Sequence, residues 1–100
     1  MNGNFTRVNL RGDDKITVEG WLTWAASDTE AQLSIAVTQN AVTASGSGHV
    51  RKGDKTWDID IDLNGSTFSE GVALGVAAAV VTSTNGSTSQ NWHSDPIPVH

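Results

Sequence analysis

The chain contains no cysteine, so disulfide bonds and thiolate chemistry are excluded at the outset. Basic residues are few: six Lys and Arg are scattered along the sequence, against eleven Asp and Glu, and the formal net charge is −5. A nucleic-acid-binding protein needs basic side chains clustered on one face, and an anionic membrane surface attracts the same kind of cluster. We therefore expect neither nucleic acid nor a membrane surface among the partners of this protein.

Long apolar runs are missing as well. The most apolar stretch, residues 71–81, is far shorter than the run of about 18 or more residues that spans a membrane, so we expect no membrane insertion. Met1 leads directly into polar residues, which predicts that no signal peptide is present. A cytoplasmic protein and the mature form of an exported domain both fit this pattern. The length of 100 residues is typical of a single domain, residues 1–100.

Two stretches give the strongest structural signal. Residues 56–63 alternate strictly, with Trp57, Ile59 and Ile61 on one face of a predicted strand and aspartates on the other. Residues 71–81 are apolar at nearly every position, which is typical of a strand covered on both faces. Together the two stretches predict the core of a β-sandwich.

The rest of the chain reads as further short strands separated by turn residues. Gly20 within the second strand indicates a bulge or a close approach of another backbone. The fourth strand, interrupted by two glycines, is predicted to be an edge strand or a flexible loop, and Pro96 and Pro98 favour an edge position for the last strand. The predicted strands are residues 4–11, 15–24, 30–39, 41–50, 56–63, 71–83, and 88–92 with 97–99. About seven strands, with turns every 8–12 residues or so, predict an all-β, immunoglobulin-like sandwich of antiparallel strands.

The order of residues in the second half resembles the immunoglobulin-like domains of bacterial surface and secreted proteins. The matching residues are Gly53, Trp57, Gly71, residues 72–81, Asn85, Gly86, Ile97 and Val99. Residues 37–48 also resemble small exported actinobacterial proteins whose biochemical role is undefined. The resemblance implies an immunoglobulin-like sandwich and an extracytoplasmic or secreted location, and it supplies no catalytic residue.

Four tryptophans stand out beside two phenylalanines and no tyrosine. By alternation, Trp57 belongs to the core, and Trp24 closes the same face at a strand end. Trp21 has the opposite parity and is predicted to be exposed, and Trp92 lies near the predicted edge and is followed by His93. Exposed tryptophans can form a platform for a sugar ring or anchor a protein partner. The alternative is that both pack partly covered against a neighbouring loop.

Acidic and histidine residues give no metal or catalytic motif. Asp58, Asp60 and Asp62 lie about 6.5–7 Å apart along a strand, whereas one Ca²⁺ ion needs oxygens at roughly 2.3–2.6 Å. We therefore expect a solvated strand face, no metal and no cofactor. A Ser–His–Asp set that includes His93 and Asp95 stays open as an alternative, although no Gly-x-Ser-x-Gly motif is present and we predict no enzyme.

The turn after the first strand contains the integrin-type tripeptide Arg11-Gly12-Asp13. Turn formation alone accounts for the Gly and the Asp there, so the tripeptide adds no partner to the prediction.

Residues 71–81 also bear on partners, because both faces of this strand are apolar. We expect the larger side chains to face the core, which leaves the smaller set for another sheet, a partner chain or a second copy. The alternative is that small residues on an exposed strand cost little. The larger set is Val72, Leu74, Val76, Ala78 and Val80; the smaller set is Ala73, Gly75, Ala77, Ala79 and Val81.

The sequence thus predicts a non-catalytic binding or structural module that associates with a protein partner or with itself. The residues predicted to bind are Trp21, Trp92, His93, Ala73, Gly75, Ala77 and Ala79. A carbohydrate-binding module that uses Trp21 or Trp92 is the first alternative, and a hydrolase with His93 and Asp95 is the second.

Overall fold

A computed structural model describes residues 1–12 and 14–100. Asp13, and therefore the complete Arg11-Gly12-Asp13 tripeptide, lies outside the described residues. The seven strands are β1 (Asn2–Leu10), β2 (Lys15–Thr23), β3 (Asp28–Gln39), β4 (Val42–Arg51), β5 (Thr56–Asp62), β6 (Gly71–Ser83) and β7 (Gly86–Val99). The prediction of an all-β protein with seven strands is confirmed. Among these residues, no helix is long and apolar enough to cross a membrane.

The seven strands form one mixed sheet in the order β4-β3-β6-β7-β1-β2-β5. Neighbouring strands are antiparallel except for β1 and β7, which run parallel and pair at Val8 and Val99. The sheet curls until side chains of β5 lie against β4. A Cβ atom added at Gly46 would lie 2.9 Å from Cγ1 of Ile61 and 3.0 Å from Cγ2 of Ile59. The result is a nearly closed barrel.

The predicted two-sheet immunoglobulin-like sandwich is therefore corrected to a single curled sheet. Sandwiches and barrels both bury alternate residues of every strand, so the alternation in the sequence does not distinguish between them. The difference lies in strand pairing: here β6 is hydrogen-bonded to β3 along one edge and to β7 along the other, and β7 continues the sheet to β1.

The barrel is filled by the inward-facing residues of all seven strands. Trp57 is buried, as predicted, and its ring meets the ring of Phe5 edge to face, with centroids 5.3 Å apart and an interplanar angle of 78°. The indole lies directly over Gly20, where an added Cβ would overlap both the indole and the carbonyl oxygen of Asn4. The close approach predicted at Gly20 is thus confirmed. The largest fully buried side chains are Ile16, Leu33, Ile97, Val8, Val18, Val37, Val81 and Val99.

Two hairpin turns follow the sequence signals. Asn40 and Ala41, with φ of 49° and 67°, connect β3 to β4 in a two-residue loop that matches the twist of the strands. Thr84 and Asn85 connect β6 to β7, and Gly86 follows with φ of 123°. Both turns lie in the gaps between predicted strands, at residue 40 and within residues 84–87.

Of the two predicted edge positions, that of β4 is confirmed and that of β7 is wrong. β4 is the terminal strand of the sheet and pairs with β3 along its whole length, so it is not a loop, and its glycines leave room for the isoleucines of β5. β7 is an interior strand where its prolines lie, because Val99 pairs with Val8 of β1. Its register with β6 shifts at Asp95 and Pro96, so a bulge accommodates the irregularity that the prolines signal.

Candidate functional site

The two faces of β6 are the reverse of the predicted arrangement. The small residues Ala73, Ala77 and Ala79 are between 1% and 6% exposed, Gly75 is buried with them, and all four face the barrel interior. They were predicted to bind a partner, and this assignment is corrected because no partner can reach them in the folded chain. The barrel interior has room only for small side chains from β6, because larger side chains from the other strands fill the space beside it. A Cβ added at Gly75 would overlap Cδ1 of Ile97 and lie 3.0 Å from the ring of Phe5.

The larger side chains of β6 therefore form the outer surface. Val72 is 58% exposed, Leu74 41%, Val76 49% and Val80 52%, and Ala78 is exposed among them. We call these five residues the outer stripe. The stripe belongs to a strand that is hydrogen-bonded along both edges, so its exposure is not that of a frayed end.

The residues paired with the outer stripe carry no Lys, Arg, Asp or Glu. On β3 they are Gln32, Ser34, Ala36 and Thr38, and on β7 they are Ser89, Asn91, His93 and Pro98. The next strand, β4, continues this surface with Thr43, Ser45, Ser47 and His49. This part of the barrel wall is aliphatic along its centre and bears mostly small, uncharged polar groups on both sides. Two exposed acidic residues border it: Asp95, in the β7 bulge opposite Leu74, and Glu30, which pairs with Thr82 beyond Val80.

A shallow depression opens on this surface at the level of Ala78. Its volume is about 490 Å³, and Ser34, Ala36, Val76, Ala78, Asn91 and His93 contribute to its lining. The depression forms where the short side chains of Ser34, Ala36 and Ala78 lie side by side on neighbouring strands.

A group of charged side chains lies on the opposite wall of the barrel, on β1, β2 and β5. Arg7 Nε lies 3.4 Å from Oε2 of Glu19, and Asn9 Nδ2 donates a 2.9 Å hydrogen bond to the same oxygen. Thr17 Oγ1 donates to Oδ1 of Asp60 at 2.7 Å. The aspartates of β5 are thus an exposed row on a hydrogen-bonded polar face. Across residues 1–12 and 14–100, no group of three or more His, Asp or Glu side chains is arranged to hold a metal ion.

The predicted tryptophan site is divided between two environments. Trp21 is 40% exposed, as predicted, and lies on the charged wall between its strand neighbours Asn4 and Thr56. Trp92 is buried, which excludes the exposed platform considered for it; it points into the barrel because its parity matches that of Ile97 across the β7 bulge. Trp24 is half-buried, and its Nε1 donates to the carbonyl oxygen of Asp54 at 2.7 Å.

His93 and Asp95, the residues of the hydrolase alternative, are both exposed. His93 pairs with Val76 at the margin of the outer stripe, and Asp95 belongs to the bulge of β7. In the part of the chain that the structure describes, no hydrogen bond joins either side chain to the other or to a serine. The position of His93 instead makes it part of the uncharged surface.

The structure contains a buried ion pair that was not predicted from the sequence. The only signal for it in the sequence is an aspartate between two predicted strands. The α-ammonium nitrogen of Met1 lies 2.8 Å from Oδ2 of Asp28, and the backbone N–H of Ala25 donates to the same oxygen at 2.9 Å. The hydrogen bond from the ammonium group is the main cause that holds the pKa of Asp28 below its ordinary value. The pair ties the start of β1 to the start of β3.

A signal for the true orientation of β6 was present at Gly75. A glycine inside a strand often marks the close approach of another group, and such a position belongs to the packed face.

No protein-family model and no curated protein sequence matches this chain.

Proposed function

We propose that this protein is a non-catalytic association module that binds a protein partner through the outer stripe. The observation that carries the proposal is the exposure of four large aliphatic side chains, between 41% and 58%, in one row on a fully paired strand. Single exposed apolar residues are common on protein surfaces, whereas a contiguous apolar row with a polar rim is typical of an interaction site.

The free energy available from covering the stripe is substantial. Complete burial of one Val or Leu side chain contributes about 1.5–3 kcal/mol, so covering the exposed half of four such side chains contributes about 3–6 kcal/mol. The depression at Ala78 adds the shape needed for a specific contact. Because the residues paired with the stripe bear no Lys, Arg, Asp or Glu, covering them avoids most of the desolvation penalty that buried charges would impose.

The test compares the wild-type chain with the double variant Val76→Lys/Val80→Lys. Immobilised protein is exposed to an extract of the source organism, and sedimentation velocity is measured on the purified chain in parallel. We expect both captured partners and self-association to be lost in the double variant, because two ammonium groups cannot be covered by an apolar partner surface. The matched control is Thr23→Lys, an exposed position on the far wall. Equal association by all three chains would contradict the proposal.

A second candidate function rests on Trp21. It is the one tryptophan that is 40% exposed, and its neighbours Asn4 and Thr56 offer hydrogen-bonding groups beside the indole. This combination is suited to stacking against a sugar ring. Titration with a broad glycan panel, followed by tryptophan fluorescence, tests it: a response that disappears in Trp21→Ala supports carbohydrate binding, and no response from the wild-type chain removes it.

A further inference from the structure

We infer that the partner covering the outer stripe is a second copy of this chain, packed face to face about a two-fold axis that lies in the plane of the interface, perpendicular to β6, and passes between the Val76 residues of the two copies. The inference rests on the proposed function, because it names the occupant of the same surface. Charge distribution, shape and size support it separately.

The charge distribution favours a copy of the same chain. Around the barrel, β2 and β5 are the strands farthest from β6 in the order of the sheet. The cross-section of the molecule is 22 × 20 Å, so the aspartates of β5 lie about one barrel width from the stripe. That distance exceeds the screening length of about 8–10 Å at moderate salt. Two copies with a net charge of −5 can therefore meet at this surface without bringing their acidic rows together.

A strongly charged partner finds few counterparts along this surface. The residues paired with the stripe on both neighbouring strands include no Lys, Arg, Asp or Glu; the nearest acidic side chains are Asp95, in the β7 bulge opposite Leu74, and Glu30, which pairs with Thr82 beyond Val80. A neutral aliphatic surface with hydroxyl and amide groups at its rim is complementary to a surface of the same composition. The same chain presents such a surface on every copy.

The shapes match when the Val76 residues of the two copies face each other across the axis. The two β6 strands then run antiparallel across the interface, and position 74 of one copy lies over position 78 of the other. Leu74, the largest side chain of the stripe, faces the depression at Ala78, the smallest. Position 72 lies over position 80, so Val72 contacts Val80. Every residue of the stripe thus meets another, in the interdigitated manner of sheets packed about 10 Å apart.

The size of the contact predicts a weak dimer. From Val72 to Val80 the stripe is about 27 Å long, and β6 with its neighbours β3 and β7 is about 14 Å wide. The footprint is roughly 400 Å² on each copy, so the total is below the limit of about 1,000 Å² for a stable specific interface and in the range of weak, transient contacts. We therefore expect an equilibrium between monomer and dimer that shifts with protein concentration.

The experiment is sedimentation velocity from low micromolar to submillimolar concentration on the wild-type chain and on Leu74→Ala, Ala78→Leu and the double variant Leu74→Ala/Ala78→Leu. We expect the wild-type chain to dimerise and each single variant to dimerise at least tenfold more weakly. The double variant exchanges the large and the small side chain, so it should recover most of the dimerisation. Circular dichroism and thermal unfolding establish that each variant is folded.

Three outcomes overturn the inference. A wild-type chain that stays monomeric at every concentration removes the second copy, and the proposed function then survives if another captured protein is lost from Val76→Lys/Val80→Lys. If Ala78→Leu associates more strongly than the wild-type chain, and the double variant does not return to the wild-type level, association depends on the amount of exposed apolar surface and not on the fit between the large and the small side chain. Residues 87–91 of β7 pair with β6 along one edge, and in the described part of the chain β1 pairs with β7 only at Val99, so the other edge is free for a strand of a second copy. A dimer that persists in Val76→Lys but is abolished by Ser89→Pro would show that the copies associate through this edge and not through the outer stripe.

Discussion

Ala77 and Ala78 are neighbours in the sequence but lie on opposite faces of the barrel wall. Ala77 is 6% exposed and faces inward, in register with Ile35 and Trp92, whereas Ala78 is exposed and faces outward between Ser34 and Asn91. The two methyl groups are chemically identical, so any difference between their substitutions reports the direction in which β6 faces.

We expect Ala77→Glu to unfold the protein or to lower its free energy of unfolding by about 3 kcal/mol or more, because it places an unpaired carboxylate in the barrel interior. Ala78→Glu should change the same quantity by about 0.5 kcal/mol or less. Urea denaturation followed by tryptophan fluorescence measures both. Equal effects, or a reversed order, would show that the small residues of β6 face outward after all.

The contact between Gly46 and Ile61 predicts a coupled pair of substitutions. A Cβ at Gly46 would lie 2.9 Å from Cγ1 of Ile61, so Gly46→Val should overpack the barrel and lower the free energy of unfolding by about 1–3 kcal/mol. Ile61→Ala removes the opposing atoms and leaves a cavity. We expect the double variant to be more stable than the sum of the two single effects predicts, with a coupling of about 0.5–3 kcal/mol. Strict additivity in a double-mutant cycle would contradict this contact.

The indole nitrogens of Trp57 and Trp92 are buried and have no hydrogen-bond partner among the described residues. A buried donor without an acceptor costs about 1–3 kcal/mol, so replacing the indole by an apolar ring regains part of what the lost volume costs. We expect Trp92→Phe to lower the free energy of unfolding by about 1 kcal/mol or less, and Trp92→Ala by about 3–5 kcal/mol. Chemical denaturation of both variants tests this; equal losses would indicate that the indole nitrogen is satisfied.

Asp28 makes the free energy of unfolding depend on pH in the acidic range. Its pKa is lowered in the folded state, chiefly by the hydrogen bond from the Met1 ammonium group, so the folded chain holds the charged carboxylate more strongly than the unfolded chain does. This contribution is fully present above the unfolded pKa of about 3.9 and is lost as the pH falls through the lower, folded pKa. We therefore expect the free energy of unfolding to decrease on acidification below about pH 4.

The matched variant for this prediction is Asp28→Asn, which keeps the size of the side chain but cannot titrate. The wild-type chain should be more stable than Asp28→Asn near neutral pH, and the difference should shrink as the solution becomes more acidic. Urea denaturation at a series of pH values gives both curves. Parallel curves down to the lowest pH would mean that Asp28 does not titrate with folding.

Much of the fold followed from local patterns in the sequence. The bounds of β6, residues 71–83, and the inward position of Trp57 were predicted, because alternation and turn residues report strands directly. The curled single sheet was not predicted. Whether β5 approaches β4 depends on the fit of Ile59 and Ile61 over two glycines, and that contact joins residues that no local pattern connects.

The candidate site could be predicted in part. The sequence predicted a binding surface on β6 because both faces of this strand are apolar, but the face predicted to be exposed is the buried one. Hydrophobicity alone favours burying Val76 over Ala77, whereas the space left by Ile97 and Phe5 admits only the smaller set. The sequence left Trp92 open between an exposed and a packed position for a related reason, since the β7 bulge that sets its direction depends on how β7 pairs with β6.

Between β4 and β5, across residues 42–51 and 56–62, the structure pairs no backbone groups, and the wall is completed by isoleucines resting on glycines. Separating these two strands requires no ladder hydrogen bond to break, whereas separating any other neighbours does. Transient opening of the molecule should therefore begin along this line. The peptide groups that border it are then the first to meet water, long before those of β6 lose their protection.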